Sequence, residues 1–191
     1  MWTAVLDTSG ADFEFIGVIL GLRSELKRVL QGLPEKRIHM RDFSRRRRSR
    51  VARAFLRSAS YYRSVSLVSV RTRMREVLAE LRLKMRFVPS TKLRNMCYKA
   101  LAQILISIIN QYVGHLNVEV VADAEFKPLQ SVFKGIKLLR AEIEPLISLA
   151  DVLAWLDNNV AKGAWTLSKK YKHLVTRLDV KDRLRMLVGL G

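Results

Sequence analysis

Short apolar runs bounded by turn residues alternate with longer stretches of helical period, and this alternation predicts an α/β chain. Trp2–Leu6 is a β-rich run without helical period and reads as a strand. Thr8-Ser9-Gly10-Ala11 is turn chemistry and Phe13–Leu20 a second strand, so a hairpin is expected. Ser24 is placed to cap a short helix through Leu30, which Gly32-Leu33-Pro34 stops. Arg37–Phe43 reads as a loop or short strand. Between Ser44 and Tyr62, Val51, Phe55, Ser58, Ala59 and Tyr62 share one helical face, with Arg46, Arg50, Arg53 and Arg57 opposite.

Ser64–Val70 alternates as a third strand, and Met74–Met85 is helical again. The helix Lys92–Val113 is the most apolar in the chain and is expected to lie flat on a sheet. Val118–Ala122 reads as a fourth strand, Pro128–Phe133 as a short helix and Lys137–Ile143 as a fifth strand. Pro145 suits the first turn of the next helix, where its missing N–H costs nothing. The expectation is one domain over about residues 1–163, with a helical insertion at about 24–62. A basic helical extension at 164–191 follows.

Three aspartates interrupt this pattern where it is most apolar. Asp7 closes the first strand, Asp123 closes the fourth, and Asp151 lies inside the late helix Leu146-Ile-Ser-Leu-Ala-Asp-Val-Leu-Ala-Trp-Leu. An ionised carboxylate at the edge of a core is costly unless paired, hydrogen-bonded or bound to a metal. Asp7 could simply cap its turn with Ser9 and Gly10, and Asp123 could cap the element after it. Asp151 is harder to explain that way, since mid-helix aspartate among Leu, Val and Trp has poor propensity and poor solvation. Taken together the three suit a Mg2+ or Mn2+ site, which takes hard oxygen ligands. Asp42 and Asp12 are candidates for a fourth carboxylate, and His39 for a proton carrier. Glu76 and Glu80 sit on a helix before the one expected against the sheet.

Charge narrows the substrate. The chain has 35 Lys and Arg against 17 Asp and Glu, a net +18, with a pI near 10.7. That balance is the electrostatic footprint of a nucleic-acid binder, although anionic lipid or an acidic protein would also answer to it. Arginine makes up 22 of the 35 basic residues, and its planar fork matches phosphate. The candidate phosphate contacts are Arg45, Arg46, Arg50, Arg53 and Arg57 on one helix, Arg75 and Arg82 on another, and Lys169 and Lys170 near the end. A single cysteine, Cys97, excludes an intramolecular disulfide. The three histidines, His39, His115 and His173, show no zinc-binding spacing. No signal peptide precedes the first strand and no apolar tract is long enough to span a bilayer, so a cytoplasmic protein without membrane association is expected.

The order of elements, with Asp7 on the first strand, Asp123 ending the fourth and Asp151 on the last helix, resembles the RNase H-like fold. More narrowly, Asp7-Thr8-Ser9-Gly10 and Ser148-Leu149-Ala150-Asp151 resemble an uncharacterised RNase H-like family. Its marks are Asp-Glu-Ser-Gly near the N-terminus and Gln-Leu-Ala-Asp near the end. The family's middle histidine motif would map to Ile38-His39-Met40-Arg41-Asp42. The resemblance implies a mixed sheet of about five strands flanked by helices. Thr8 stands where the family has glutamate and Ser148 where it has glutamine, so one possible ligand is missing. The expectation is a Mg2+- or Mn2+-dependent nuclease acting on DNA or RNA. The alternative is a nucleic-acid-binding protein on the same scaffold without efficient catalysis. Oligomeric state stays open.

Overall fold

A computed structural model describes residues 1–35, 39–114, 117–166 and 169–190, without the side chains of 169 and 170. The expectations placed on Arg37, Ile38, His115 and the side chains of Lys169 and Lys170 lie outside the described residues. Six strands form one mixed sheet: β1 (Trp2–Ser9), β2 (Phe15–Leu22), β3 (Ser66–Arg71), β4 (Val118–Asp123), β5 (Lys137–Leu139) and β6 (Val175–Asp179). Their order across the sheet is β5-β4-β1-β2-β3-β6. β2 runs antiparallel to β1 and β3, while the pairs β1–β4, β4–β5 and β3–β6 are parallel.

The sheet separates two apolar cores because successive side chains on a strand point to opposite faces. Ala4 and Leu6 of β1, with Ile16, Val18 and Leu20 of β2, pack against α3 (Met74–Lys84), α4 (Ser90–Val113) and α6 (Lys181–Leu187). Val5 and Ile19 face the other way, toward α1 (Arg23–Gln31), α2 (Arg45–Ala59) and α5 (Ile147–Ala161). Helix α5 is apolar on nearly every side because it is covered on nearly every side, by the sheet beneath and by α2. α2 is amphipathic: Val51, Ala52, Phe55 and Leu56 are buried, and Ser44 caps its first turn by accepting from Arg47 N–H at 3.4 Å.

Four expectations are corrected. Strand β5 stops at Leu139, because the chain turns on Arg140, whose carbonyl accepts from the amides of Ile143 and Glu144. The short helix after β4 is a 3-10 segment at Ala124–Leu129, earlier than Pro128–Phe133. Ser24 makes no cap bond; α1 begins at Arg23. The C-terminal segment is not wholly helical, since Val175–Asp179 joins the sheet beside β3 and its β-branched Val175-Thr176 pair finds a strand edge. Among the described residues no helix is long and apolar enough to cross a membrane.

Candidate active site

Asp7 and Asp123 reach the same point by register. Val5 and Val121 pair across β1 and β4, both face α5, and each aspartate lies two residues further along on that face. The carboxyl ends of neighbouring parallel strands are where open α/β sheets place ligands. Asp151 comes from above. Its helix descends on β1 and β2 at Gly17, the register partner of Asp7, where a Cβ would collide with the carbonyl of Ala150. A bare glycine backbone therefore lets α5 come close enough to set Asp151 over the strand ends.

The three carboxylates line one cleft of about 470 Å³, which also takes in Thr8, His39, Arg48 and Glu125. One oxygen of each aspartate is held by a backbone amide. Thr8 N–H donates to Asp7 at 2.7 Å, Met40 N–H to Asp151 at 2.7 Å and Glu125 N–H to Asp123 at 2.9 Å. Asp123 thus also caps the 3-10 segment that follows it. Burial holds the Asp7 carboxyl well above the usual carboxylate range, and the charges of Asp151, Asp123 and Glu125 push it further. Burial likewise lifts Asp151 to about 6, against the pull of the Met40 amide, His39 and Arg41, with Asp123 adding to the rise.

His39 lines the cleft with Nδ1 3.8 Å from Asp151 Oδ2 and Nε2 3.8 Å from Glu142. Asp42 does not enter it. Its side chain is 65% exposed and lies 3.9 Å from Arg41, so it is corrected as a site residue. Asp12 is also elsewhere, paired with Arg75 at 3.1 Å and Arg94 at 3.8 Å. Glu76 and Glu80 bridge to Lys181 and Arg185 of α6, away from the cleft.

Several cleft residues escaped the sequence reading. Glu125, exposed at the rim, accepts from Thr8 Oγ1 at 2.9 Å, so a carboxylate sits against Thr8. Trp155, Asn158 and Asn159 lie one and two turns beyond Asp151 on α5, and Lys162, at the helix's C-terminal cap, three turns beyond, a helical spacing that was there to be read. Asn158 donates to Ser9 Oγ at 2.9 Å and keeps a buried Oδ1 without a hydrogen-bond partner. Arg48 turns from α2 into the cleft and donates to the Arg41 carbonyl at 2.7 Å.

Of the candidate phosphate contacts, Arg45, Arg46, Arg50, Arg53 and Arg57 line one groove on the solvent side of α2. Arg75 is engaged by Asp12, and Arg82 is exposed on α3, apart from that groove. The oxygen-rich donor set suits a hard divalent cation in kind. No three His, Cys, Asp or Glu side chains among the described residues are drawn together at ion-holding separation. Comparison with protein-family models, curated proteins and solved structures found no match.

Proposed function

We propose that this protein is a cytoplasmic, Mg2+- or Mn2+-dependent nuclease that hydrolyses phosphodiester bonds of DNA or RNA on an RNase H-like scaffold. The observation that carries the proposal is the meeting of Asp7, Asp123 and Asp151 in one cleft, from residues up to 144 positions apart, beside a basic helix. The order of strands β1, β2 and β3, with α1 and α2 between the last two, then helices and β4, is the element order on which the family resemblance rests, and β4 runs parallel to β1. Strand β6 extends that pattern at the far edge.

Asp7, Asp123 and Asp151 would hold the ion, with Glu125 at the rim and the orphaned Asn158 Oδ1 nearby. Mg2+ usually keeps several waters and needs only one or two carboxylates besides substrate phosphate, so the partly spread donors are compatible with it. Bound there, a divalent ion supplies a more acidic water and offsets charge on the phosphoryl oxygens. The remaining work belongs to the chain. Arg48, Arg41 and Lys162 offset the phosphate charge that clustered carboxylates would otherwise repel. His39, on the cleft wall beside Asp151, is placed to move a proton.

The rival proposal is a nucleic-acid-binding protein without efficient catalysis. Thr8 at the glutamate position favours it, as does the absence of a closed carboxylate cage among the described residues. A cleavage assay with Mg2+, Mn2+ or EDTA separates the two. The nuclease reading expects metal-stimulated cleavage that Asp7→Asn and Asp151→Asn each abolish while binding persists. Wild-type protein that binds nucleic acid and never cuts it establishes the rival.

A further inference from the structure

We infer that the arginine groove on α2 is a nucleic-acid site in its own right, an exosite that holds a stretch of backbone remote from the phosphodiester over the aspartates. Its effect on cleavage rests on the nuclease reading above; the site itself does not. Helix α2 carries arginines on two opposed faces. Arg48 turns into the carboxylate cleft. At 3.6 residues per turn, Arg46, Arg50, Arg53 and Arg57 lie about 140–200° around the helix from it. These four line a groove of about 1240 Å³ that shares no lining residue with the cleft. Between the two stands the body of a helix, about 10–12 Å thick with its side chains. A strand laid over Asp7, Asp123 and Asp151 therefore does not run on into the groove. Nucleic acid that fills both must pass round α2.

The groove is charged at a cost to the fold. Arg45 to Arg48 open α2 with no acidic residue in the first turn, where cations oppose the helix dipole. Arg47 is offset by Glu35, and Arg48 by the Arg41 carbonyl. Among the described residues no carboxylate pairs with Arg46, Arg50, Arg53 or Arg57, all of them exposed. Four guanidinium forks in one row, spanning roughly 16 Å at 1.5 Å of rise per residue, match a repeating phosphate. At about 3.4 Å per phosphate along one strand of a duplex, that row covers roughly five phosphates. An anionic bilayer fits less well. A helix that lies on one turns large apolar side chains outward, whereas Val51, Phe55 and Leu56 are buried in the core. Apart from Tyr171, the uncharged lining of the groove is Ser44, Ser49 and Ala54.

Binding with EDTA present tests the site without cleavage. Arg50→Gln with Arg53→Gln should lower the slope of log affinity against log salt by about 1.4 on a thirty-nucleotide single strand and about 1.8 on a duplex of that length. The form bound more tightly names the source of the backbone. Unchanged slopes overturn the proposal, as does a variant that loses binding to phosphatidylserine vesicles and keeps its binding to nucleic acid. Separation from the cleft is read in cleavage with Mn2+, by comparing the long strand with a tetranucleotide too short to fill both sites. Replacing Arg46, Arg50, Arg53 and Arg57 with Gln should lower the ratio of kcat/KM for the long strand to that for the tetranucleotide at least about tenfold. A ratio that holds, whether both substrates lose alike or neither does, overturns the exosite. If the wild type cuts neither substrate, the nuclease reading falls and the binding slopes alone decide the site.

Discussion

Gly17 and Ala150 touch backbone to backbone: a Cβ on Gly17 would run into the Ala150 carbonyl and stand 3.0 Å from the Ala154 amide nitrogen. Asp7 is the register partner of Gly17, and Asp151 follows Ala150. One close approach between sheet and helix therefore sets the separation of two of the three aspartates. Gly17→Ala should lift α5 off the sheet, cost about 1–3 kcal/mol as an overpacked core does, and weaken Mn2+ binding. Gly21→Ala is the comparison, since its Cβ would meet side-chain methyls of Leu26 and Val65 at 3.2 Å. Urea midpoints and Mn2+ titrations of both variants check this; equal effects would show that the approach at Gly17 is not special.

Stability of the ion-free protein should carry the mark of the raised carboxyls. Folding makes Asp7 and Asp151 bind their protons more tightly than in the unfolded chain. The native state therefore holds more protons between the ordinary carboxylate range near pH 4 and the folded value, about 6 for Asp151. Across that window these groups lower stability as pH rises. Asp7→Asn should flatten that dependence and raise Tm at pH 7, by roughly 2–4 °C for each kcal/mol of repulsion removed. Thermal melts in EDTA at pH 4.5 to 7.5 provide the measurement, and a lower Tm for the variant at pH 7 would contradict it.

Glu125 and Asp42 should behave oppositely. Glu125→Gln removes a charge that acts on Asp7 and is expected to reduce metal-stimulated cleavage at least about tenfold, since ligand-shell changes typically cost 10–100-fold. Asp42→Asn should change nothing beyond scatter, because that carboxylate is exposed outside the cleft. Single-turnover cleavage by the two variants decides between them.

The arginine face of α2 should account for most of the salt sensitivity of binding. Replacing Arg46, Arg50, Arg53 and Arg57 with Gln is expected to lower the salt slope by about 3–4, weakening binding evenly across sequences. Tm should stay close to that of the wild type, since these side chains are exposed. A slope that does not move places the phosphate contacts elsewhere.

Strands β1, β2 and β4 were legible because each is an apolar run bounded by turn chemistry or a change of period, and β3 because its apolar residues alternate with serine; β1 and β4 carried their aspartates visibly at the end. Strand β6 was not, since Val175-Thr-Arg-Leu-Asp is short, polar and stable only against the edge of β3. Asp7, Asp123 and Asp151 could be picked out because a carboxylate beside apolar residues is costly wherever the chain goes. Glu125 gave no such sign. It is exposed, and only the turn that Asp123 caps brings it back toward Thr8. Asp42 misled for the opposite reason: its place in a motif-like stretch carried no information about which way its side chain points.

Calorimetric titration of Mn2+ into wild-type protein and into Asp7→Asn, Asp123→Asn and Asp151→Asn, each shown to be folded by its melting curve, tests the shared site directly. The account predicts a saturable binding isotherm for the wild type, weakened at least about tenfold by every one of the three substitutions. Wild-type affinity retained in any of the three would contradict a single site built from Asp7, Asp123 and Asp151.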